Sequence, residues 1–313
     1  MFWKIIKLVI LVTGLILALL AFGFIYQNIP SDPESLVREE NSNENIQEID
    51  YGGTPVFMEN LRFNHNEISY FIEGSCEAER KTSTREAFKI FEEEMKIISF
   101  KEKLTLDSDI IVGCSDDFVK LGKNLFRAGE GGPSKIINTS NFKVIEEGRI
   151  QLYEASECSR PVVEIHEIAH VFGFDHIKNP KSIMYNISKC DQEITPDMVE
   201  IVNKLYSVEP LPDAIIKELS ATKKKRYLDF NITILNEGLE DISNMSLTII
   251  SEGEKVEEFS LEEIKIGYGR TLRVTNIKLP SRNTNSVEFR VDYENKVREL
   301  SEENNKAEMK LAQ

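Results

Sequence analysis

Residues 166–176 read HEIAHVFGFDH, and this stretch decides how the central part of the chain is expected to fold. It holds three of the four histidines of the 313-residue chain, at positions 166, 170 and 176. Residues four apart lie on the same face of an α-helix, so His166 and His170 can both reach one metal ion. Glu167 projects beside them, where its carboxylate can polarise a metal-bound water. The pair alone is also compatible with two buried core histidines.

The residues that follow the helix favour a metal site. Gly173 reaches positive φ at low cost and can end the helix in a tight turn. His176 can then return towards the helix as a third nitrogen ligand. Three protein ligands with one position left for water are typical of a catalytic rather than a structural zinc ion. We therefore predict one catalytic Zn²⁺ ion bound by His166, His170 and His176, with Glu167 as the general base.

The eleven residues match the pattern H-E-x-x-H-x-x-G-x-x-H, and they resemble the zinc motif of the metzincin endopeptidases. Downstream, residues 182–185 (SIMY) resemble the Met-turn of that family, in which the methionine, here Met184, forms an apolar floor without binding the metal. Some branches use a tyrosine two residues after the methionine as a ligand. Asn186 occupies that position here, so we assign Tyr185 no metal role.

The order of predicted elements over residues 61–207 most resembles the matrixin branch. The resemblance implies an α+β metzincin catalytic domain, in which a twisted and mostly parallel sheet has one antiparallel edge strand. It also implies a protein or peptide substrate, whose pocket beside the scissile bond is walled by the loop from about Tyr185 to Thr195. Two alternatives remain open: a non-catalytic cell-surface adhesion protein with a vestigial zinc fold, and a narrow-specificity processing protease for a neighbouring membrane protein. The intact Glu167 favours an enzyme.

The N-terminus is strongly apolar. Residues 5–26 contain one charged residue, Lys7, and at ~1.5 Å per residue they are long enough to cross a hydrocarbon core of ~30 Å as a helix. Basic residues precede this segment and acidic residues follow it, which predicts a cytoplasmic N-terminus and an exported catalytic domain. We therefore predict a single-pass membrane anchor over residues 1–26 and a flexible acidic stalk over residues 27–60. A cleaved secretory signal is the alternative, and it also leads to export.

Export bears on the four cysteines, Cys76, Cys114, Cys158 and Cys190, because disulfides form in oxidising compartments. Four cysteines allow three pairings, and four free thiols are the alternative. In the sheet that the matrixin resemblance implies, Cys76 and Cys114 fall at the ends of adjacent parallel strands. Cys158 opens the active-site helix and Cys190 follows the Met-turn. The resemblance thus suggests the pairs Cys76–Cys114 and Cys158–Cys190.

Two local patterns give further expectations. Ser83 and Glu86 form a capping-box pattern, which predicts that a helix begins there and continues to about residue 98. The glycine-rich run GEGGPS at residues 129–134 predicts a turn.

The C-terminal third of the chain has a different pattern of apolar and polar residues. After the proline-bearing junction at residues 208–213, short segments alternate apolar and polar residues between turn residues. This pattern predicts that residues 208–313 form an all-β sandwich. The stretches NITILNEG and SEENNKAE resemble CARDB domains, the immunoglobulin-like modules of exported bacterial and archaeal proteins. That resemblance implies a spacer or a module that binds a surface or protein ligand.

The net charge and the fourth histidine limit the partners and the further metal sites that the sequence supports. The formal net charge of −15 argues against nucleic acid as a partner, because binding phosphates requires clustered Lys and Arg. His65 lies in a polar stretch and is interpreted as a surface residue. No compact acidic loop in the sequence supports a second zinc ion or a structural calcium ion.

Overall fold

The computed structural model describes residues 51, 53–116, 120–122, 125–153 and 158–311, together with positions 3, 13–17 and 19–20 and strand β1 (Glu34–Arg38). Most of the predicted anchor over residues 1–26 lies outside these residues. Among those described, no helix is both long enough and apolar enough to span a membrane.

The N-terminal domain combines one main sheet with three helices and a short hairpin in its described part. Its main sheet has six strands. The sheet strands are β2 (Leu61–Phe63), β3 (Glu67–Ile72), β4 (Ser99–Glu102), β5 (Ile110–Cys114), β8 (Gly129–Asn138) and β9 (Lys143–Leu152), the hairpin is β6 (Lys120–Gly122) with β7 (Leu125–Phe126), and the helices are α1 (Ala78–Met95), α2 (Val162–Val171) and α3 (Pro196–Ser207).

The topology agrees with the sheet that the matrixin resemblance implied. Strands β2, β9, β5, β3 and β4 are neighbours in that order and all pair in parallel, whereas β8 pairs antiparallel with β9 at the edge. All five residues of β5 are buried, as expected for a parallel strand covered on both faces.

Aromatic packing fixes the helices against this sheet. On α1, Phe88 stacks on Tyr70 of β3 with ring centroids 4.0 Å apart. One turn later, Phe91 stacks on Phe172, which directly follows α2, at 5.1 Å. These rings are buried, so the end of α2 is held in the domain core.

The capping-box prediction was wrong. Helix α1 begins at Ala78, and Ser83 lies within it. The residues before Ser83 are good helix formers, so the helix extends towards the N-terminus. The Ser83 hydroxyl instead donates a hydrogen bond of 2.6 Å to the buried carboxylate of Glu164 on α2. A tertiary contact therefore uses the side chain that the local pattern assigned to a cap.

The turn predicted at residues 129–134 was also wrong, because these residues begin strand β8. Their register runs from Gly129 opposite Leu152 onwards along β9. Register shifts follow Pro133, which has no N–H to donate to the ladder. A proline is tolerated here because β8 is an edge strand.

The C-terminal domain is all-β, as the predicted sandwich requires, and its seven strands join with β1 in one eight-stranded sheet with antiparallel pairing throughout. Its core contains large apolar residues such as Ile232, Leu247 and Phe289, all fully buried. The strands are β10 (Ala214–Lys224), β11 (Tyr227–Asn236), β12 (Ser246–Ser251), β13 (Glu254–Ser260), β14 (Gly269–Lys278), β15 (Ser286–Val291) and β16 (Lys306–Leu311).

Strand β1 corrects the prediction of a wholly flexible stalk over residues 27–60. It pairs antiparallel with β10 on one side and with β16 on the other, inside the eight-stranded sheet. Within this strand the sequence ESLVR carries two β-compatible apolar residues, and two strand edges supply the backbone partners that local sequence cannot reveal.

The two domains meet at a packed junction. Arg62 on β2 is fully buried, and its guanidinium donates to the backbone carbonyl of Val208 at 2.9 Å and to that of Leu205 at the end of α3. From the sandwich, the Glu237 carboxylate accepts from the Ser140 backbone N–H. Apolar residues from both domains fill the space between them: Ile137, Phe142, Val144, Val208, Leu239, Ile266 and Leu300.

Both disulfides suggested by the resemblance are present. Cys76 is bonded to Cys114 and Cys158 to Cys190, and no described cysteine is free. The first bridge joins Cys114, the last residue of β5, to Cys76 in the segment that follows β3. The second joins the approach to α2 with the segment beyond the Met-turn.

Candidate active site

Helix α2 positions the motif because it is buried on nearly every side. Nine of its ten residues are buried, so its orientation is fixed by packing rather than by capping. The helix ends at Val171, and Gly173 has φ 91°, the left-handed conformation predicted for it. A Cβ atom there would also lie 2.9 Å from the Leu61 side chain. The tight turn that redirects the chain to His176 therefore needs glycine at this position.

The three predicted histidines are brought together. His176 Nε2 lies 3.2 Å from His166 Nε2 and 3.3 Å from His170 Nε2. One nitrogen from each ring falls within 4.8 Å of the other two, and this is the one such group of potential metal ligands among the described residues. The fourth histidine, His65, lies elsewhere, with its Nε2 3.2 Å from Asp109.

The hydrogen bonds of the two helical histidines fit a metal site. His166 Nδ1 lies 2.6 Å from the carbonyl oxygen of Ile183, and His170 Nδ1 lies 2.7 Å from that of Phe174. A carbonyl only accepts, so each Nδ1 carries the proton and each Nε2 keeps a lone pair for the metal. Burial, followed by the nearby His170, lowers the pKa of His166 to about 4, which keeps its ring neutral. The donor set therefore fits zinc.

The segment around Met184 supports His166 through the backbone. The Ile183 carbonyl that His166 contacts belongs to a turn in which the Ile177 N–H donates to the Met184 carbonyl at 2.9 Å. Met184 is buried, and its own N–H donates to Ser182 Oγ at 3.2 Å. Its role as an apolar floor for the metal stays a prediction.

Glu167 is almost entirely buried beside the histidines. Burial, with a smaller contribution from Glu130, raises the pKa of Glu167 to about 8, although Arg127 and the Gly131 backbone act in the opposite direction. A bound cation would favour the charged form. A carboxyl group with a pKa near neutrality can both accept and release a proton, as a general base requires.

Strand β8 supplies a part of the site that the sequence analysis missed. A Cβ atom on Gly131 would lie 2.3 Å from the backbone oxygen of Glu167, and one on Gly129 would lie 2.7 Å from Glu167 Cγ. These two glycines thus let the strand run directly against α2. The available signal was their spacing of two, which places both on one face of a strand.

The three histidine rings and Glu167 open onto a cleft of about 640 Å³. The first residues of the loop predicted to wall the substrate pocket do line it, whereas the later part of that loop does not. The lining residues besides those four are Phe57, Phe126, Arg127, Ala128, Gly129, Glu130, Gly131, Asp175, Tyr185, Asn186, Ile187 and Ser188.

Comparisons with known proteins match both domains. Residues 62–207 match the family model described as Matrixin, and residues 211–309 match the model described as CARDB. No curated protein matches the chain.

Among solved structures, a cell surface protein domain from Methanosarcina acetivorans is 18% identical, with a TM-score of 0.27, over 33% of this chain and 93% of that one. A CARDB domain from Pyrococcus furiosus, solved in complex with di-metal ions, is 15% identical, with a TM-score of 0.27, over 32% of this chain and 88% of that one. The two family matches show that the chain joins a Matrixin domain over residues 62–207 to a C-terminal CARDB domain over residues 211–309.

Proposed function

We propose that the protein is a zinc-dependent endopeptidase that cleaves exported proteins. The observation that carries this proposal is the placement of Glu167 next to three converging histidine nitrogens, at the wall of an open cleft. A zinc site that only stabilised the fold would be closed by a fourth protein ligand, and it would need no buried carboxyl group beside it.

Each residue has a role in this reaction. His166, His170 and His176 would hold the zinc ion, which lowers the pKa of a bound water and polarises the peptide carbonyl. Glu167 accepts the proton of the attacking water and delivers it to the leaving amine. The low solvent exposure of Glu167 strengthens these electrostatic interactions because few water molecules screen them.

Strand β8 is suited to hold the substrate. Among the described strands it pairs only with β9, so its outer edge offers backbone donors and acceptors beside the cleft. An extended peptide can add to such an edge as a further strand, and this brings a peptide bond towards the histidines.

The proposed place of action is outside the cytoplasm. The apolar segment over residues 5–26 would hold the chain at the membrane with the catalytic domain exported. Two disulfides fit an oxidising compartment. The sandwich would then serve as a spacer or as a binding module for a surface or protein ligand.

The test compares Glu167→Ala with His170→Ala and uses His65→Ala as a matched histidine control. Zinc content is measured by mass spectrometry, and cleavage of casein and of a mixed peptide library is measured with and without chelator. We expect Glu167→Ala to keep one zinc ion per chain and to lose about 10²–10⁴-fold or more in kcat/KM. His170→Ala should lose both zinc and activity, and His65→Ala should lose neither.

The outcomes separate the alternatives. Full hydrolysis by Glu167→Ala would exclude Glu167 as the base. Wild-type protein that binds zinc but cleaves nothing in the library contradicts a general endopeptidase. If the protein then cleaves only a single neighbouring membrane protein, it is the narrow-specificity processing protease. If it does not cleave that protein either, it is the non-catalytic adhesion protein.

A further inference from the structure

Positive charge gathers at one end of the C-terminal domain, although the chain as a whole carries a formal net charge of −15. The run KKKR at residues 223–226 leads into the hairpin between β10 and β11, where Lys224 lies opposite Tyr227. A second segment, over residues 278–282, lies beside this hairpin. Together the two segments carry five cations that are at least partly exposed, and these form the basic end: Lys224, Lys225, Arg226, Lys278 and Arg282.

Hydrogen bonds hold the two segments of the basic end together. Arg226 donates from Nε and Nη2 to the carbonyl oxygen of Leu279 at 3.1 and 2.8 Å, and the Leu279 N–H donates to the Arg226 carbonyl at 2.8 Å. Lys223 is buried, and its Nζ donates to the carbonyl oxygen of Arg282 at 3.1 Å. Tyr227 lies opposite Lys278 on the neighbouring strand. The five cations therefore belong to one surface.

The basic end differs from the rest of the surface in its unpaired charges. Elsewhere many exposed cations form ion pairs, as Lys204 does with Glu200. Lys224, Lys278 and Arg282 are exposed, and none of the three forms an ion pair with a carboxylate of the described residues. Like charges that lack counterions repel one another, so this surface is suited to an anion supplied from outside the chain.

Carboxylates also lie close to the basic end, but they make other contacts. Asp229 Oδ1 accepts from the backbone N–H of Asn276 at 2.7 Å, and Glu252 Oε1 accepts from the Thr284 hydroxyl at 3.3 Å. Neither carboxylate forms an ion pair with the exposed cations. An excess of positive charge therefore remains at this end.

The basic end lies opposite the catalytic domain. Strand β10 begins at Ala214, two residues after Pro212 at the junction, and it ends at Lys224. Its 11 residues span roughly 35 Å at about 3.3 Å each. Strand β1 runs antiparallel to β10, and its first residue, Glu34, pairs with Lys223. The chain therefore enters this domain at the basic end and continues towards the catalytic domain.

This point of entry limits the distance between the basic end and a membrane. Residues 27–33 separate the apolar segment over residues 5–26 from β1. Fully extended, they span at most about 25 Å. If the apolar segment crosses the membrane, as proposed above, the basic end is tethered within that distance of the lipid headgroups.

We propose that the basic end binds an anionic membrane surface. Clustered Lys and Arg residues are attracted to anionic lipid headgroups, and the attraction acts within about a Debye length, ~8 Å at physiological salt. Tyr227 is 44% exposed beside these cations, and tyrosine is favoured at the interface between membrane and water. The C-terminal domain then stands between the lipid and the catalytic domain, and it holds the cleft roughly 35 Å or more from the headgroups.

The test uses full-length Glu167→Ala protein, which does not digest itself if the proposed function is right. The protein is placed in lipid nanodiscs of phosphatidylcholine, alone or mixed with anionic phosphatidylglycerol. Hydrogen exchange of the backbone amides over residues 224–230 and 278–284 is then measured by mass spectrometry. One variant removes three charges of the basic end: Lys224→Gln, Lys278→Gln and Arg282→Gln. The matched control removes three exposed lysines of the catalytic domain: Lys89→Gln, Lys101→Gln and Lys204→Gln.

We expect exchange in these two segments to be about tenfold slower in the anionic discs than in the neutral discs. High salt and the basic-end variant should each remove this difference, whereas the control variant should keep it. Equal exchange in both kinds of disc, or slowing that survives in the basic-end variant, would overturn the proposal. Equal slowing by soluble polyphosphate in neutral discs would instead identify a site for soluble polyanions.

The lipid proposal and the anchor proposal can fail separately. If the protein does not enter the discs, the apolar segment over residues 5–26 is not an anchor. Flotation of the same protein with vesicles of the two compositions then decides the role of the basic end. Flotation with the anionic vesicles alone supports it, and absence of flotation with either composition contradicts it.

Discussion

Two short stretches line the cleft side by side, and they differ in how they reach the site. HEIAHVFGFDH supplies the three converging histidines and Glu167 within eleven residues, through the period of one helix and one turn, and forms the helix wall. GEGGPS forms the strand wall through its first three residues, and it contributes through the side chains that its glycines lack. Gly129 and Gly131 have no side chain to separate β8 from Glu167. A chemical motif can therefore be recognised from a short stretch of sequence. The close packing of a strand on a helix is visible only when both elements are in place.

The largest expected effect comes from removing the disulfides, of which Cys158–Cys190 flanks the helix wall and Cys76–Cys114 lies elsewhere in the domain. The bridges close segments of 38 and 32 residues, so Cys76→Ser/Cys114→Ser and Cys158→Ser/Cys190→Ser should each lower the free energy of unfolding by about 4 kcal/mol. Only the second pair flanks the zinc motif. We expect zinc affinity to fall in Cys158→Ser/Cys190→Ser and to be retained in Cys76→Ser/Cys114→Ser. Denaturant unfolding measures the loss of stability, and chelator competition measures the zinc affinity. Equal loss of zinc affinity in both double variants would show that the Cys158–Cys190 bridge does not specifically hold the zinc motif in place.

The next effect tests the strand wall. Gly131→Ala places a Cβ atom against the Glu167 backbone, which cannot rotate away, so we expect a loss of about 1–3 kcal/mol in stability together with reduced kcat/KM. Gly132→Ala is the adjacent control, because a Cβ atom added there would meet no other atom within 4 Å. Thermal unfolding and peptide hydrolysis measure the two variants. If both behave alike, β8 does not approach α2 as described.

The smallest expected effect concerns Met184, in the predicted Met-turn. Met184→Leu keeps an apolar side chain of similar volume at a buried position, so the free energy of unfolding should change by less than about 1.5 kcal/mol. Zinc content and kcat/KM should stay within a few-fold of wild type, because the backbone contact to His166 passes through Ile183. A loss of zinc in this variant would mean that the thioether itself contributes to the site.

Particular residues show where sequence reasoning succeeded. The spacing of His166 and His170, together with the left-handed turn at Gly173, follows from backbone geometry that any sequence obeys. Both disulfide pairs followed from the resemblance once it gave the strand order.

The predictions that failed share one cause: the true partner of the residue or strand lies far away in the sequence. Ser83 formed a good capping pattern, but its hydroxyl bonds to Glu164, which lies 81 residues away. Strand β1 needed the free edges of β10 and β16, which exist only after the sandwich has formed.

By itself, the sequence determined which histidines converge, the glutamate beside them, the helix that carries them and the division into an α+β domain and an all-β domain. These features depend on helical period, strand alternation and the chemistry of single side chains, all of which act over a few residues. Tertiary structure decided the approach of β8 to Glu167, the insertion of β1 and the burial of Arg62 against the end of α3. Those features depend on packing between distant segments, where the available space and the unpaired polar groups are fixed only once the chain has folded.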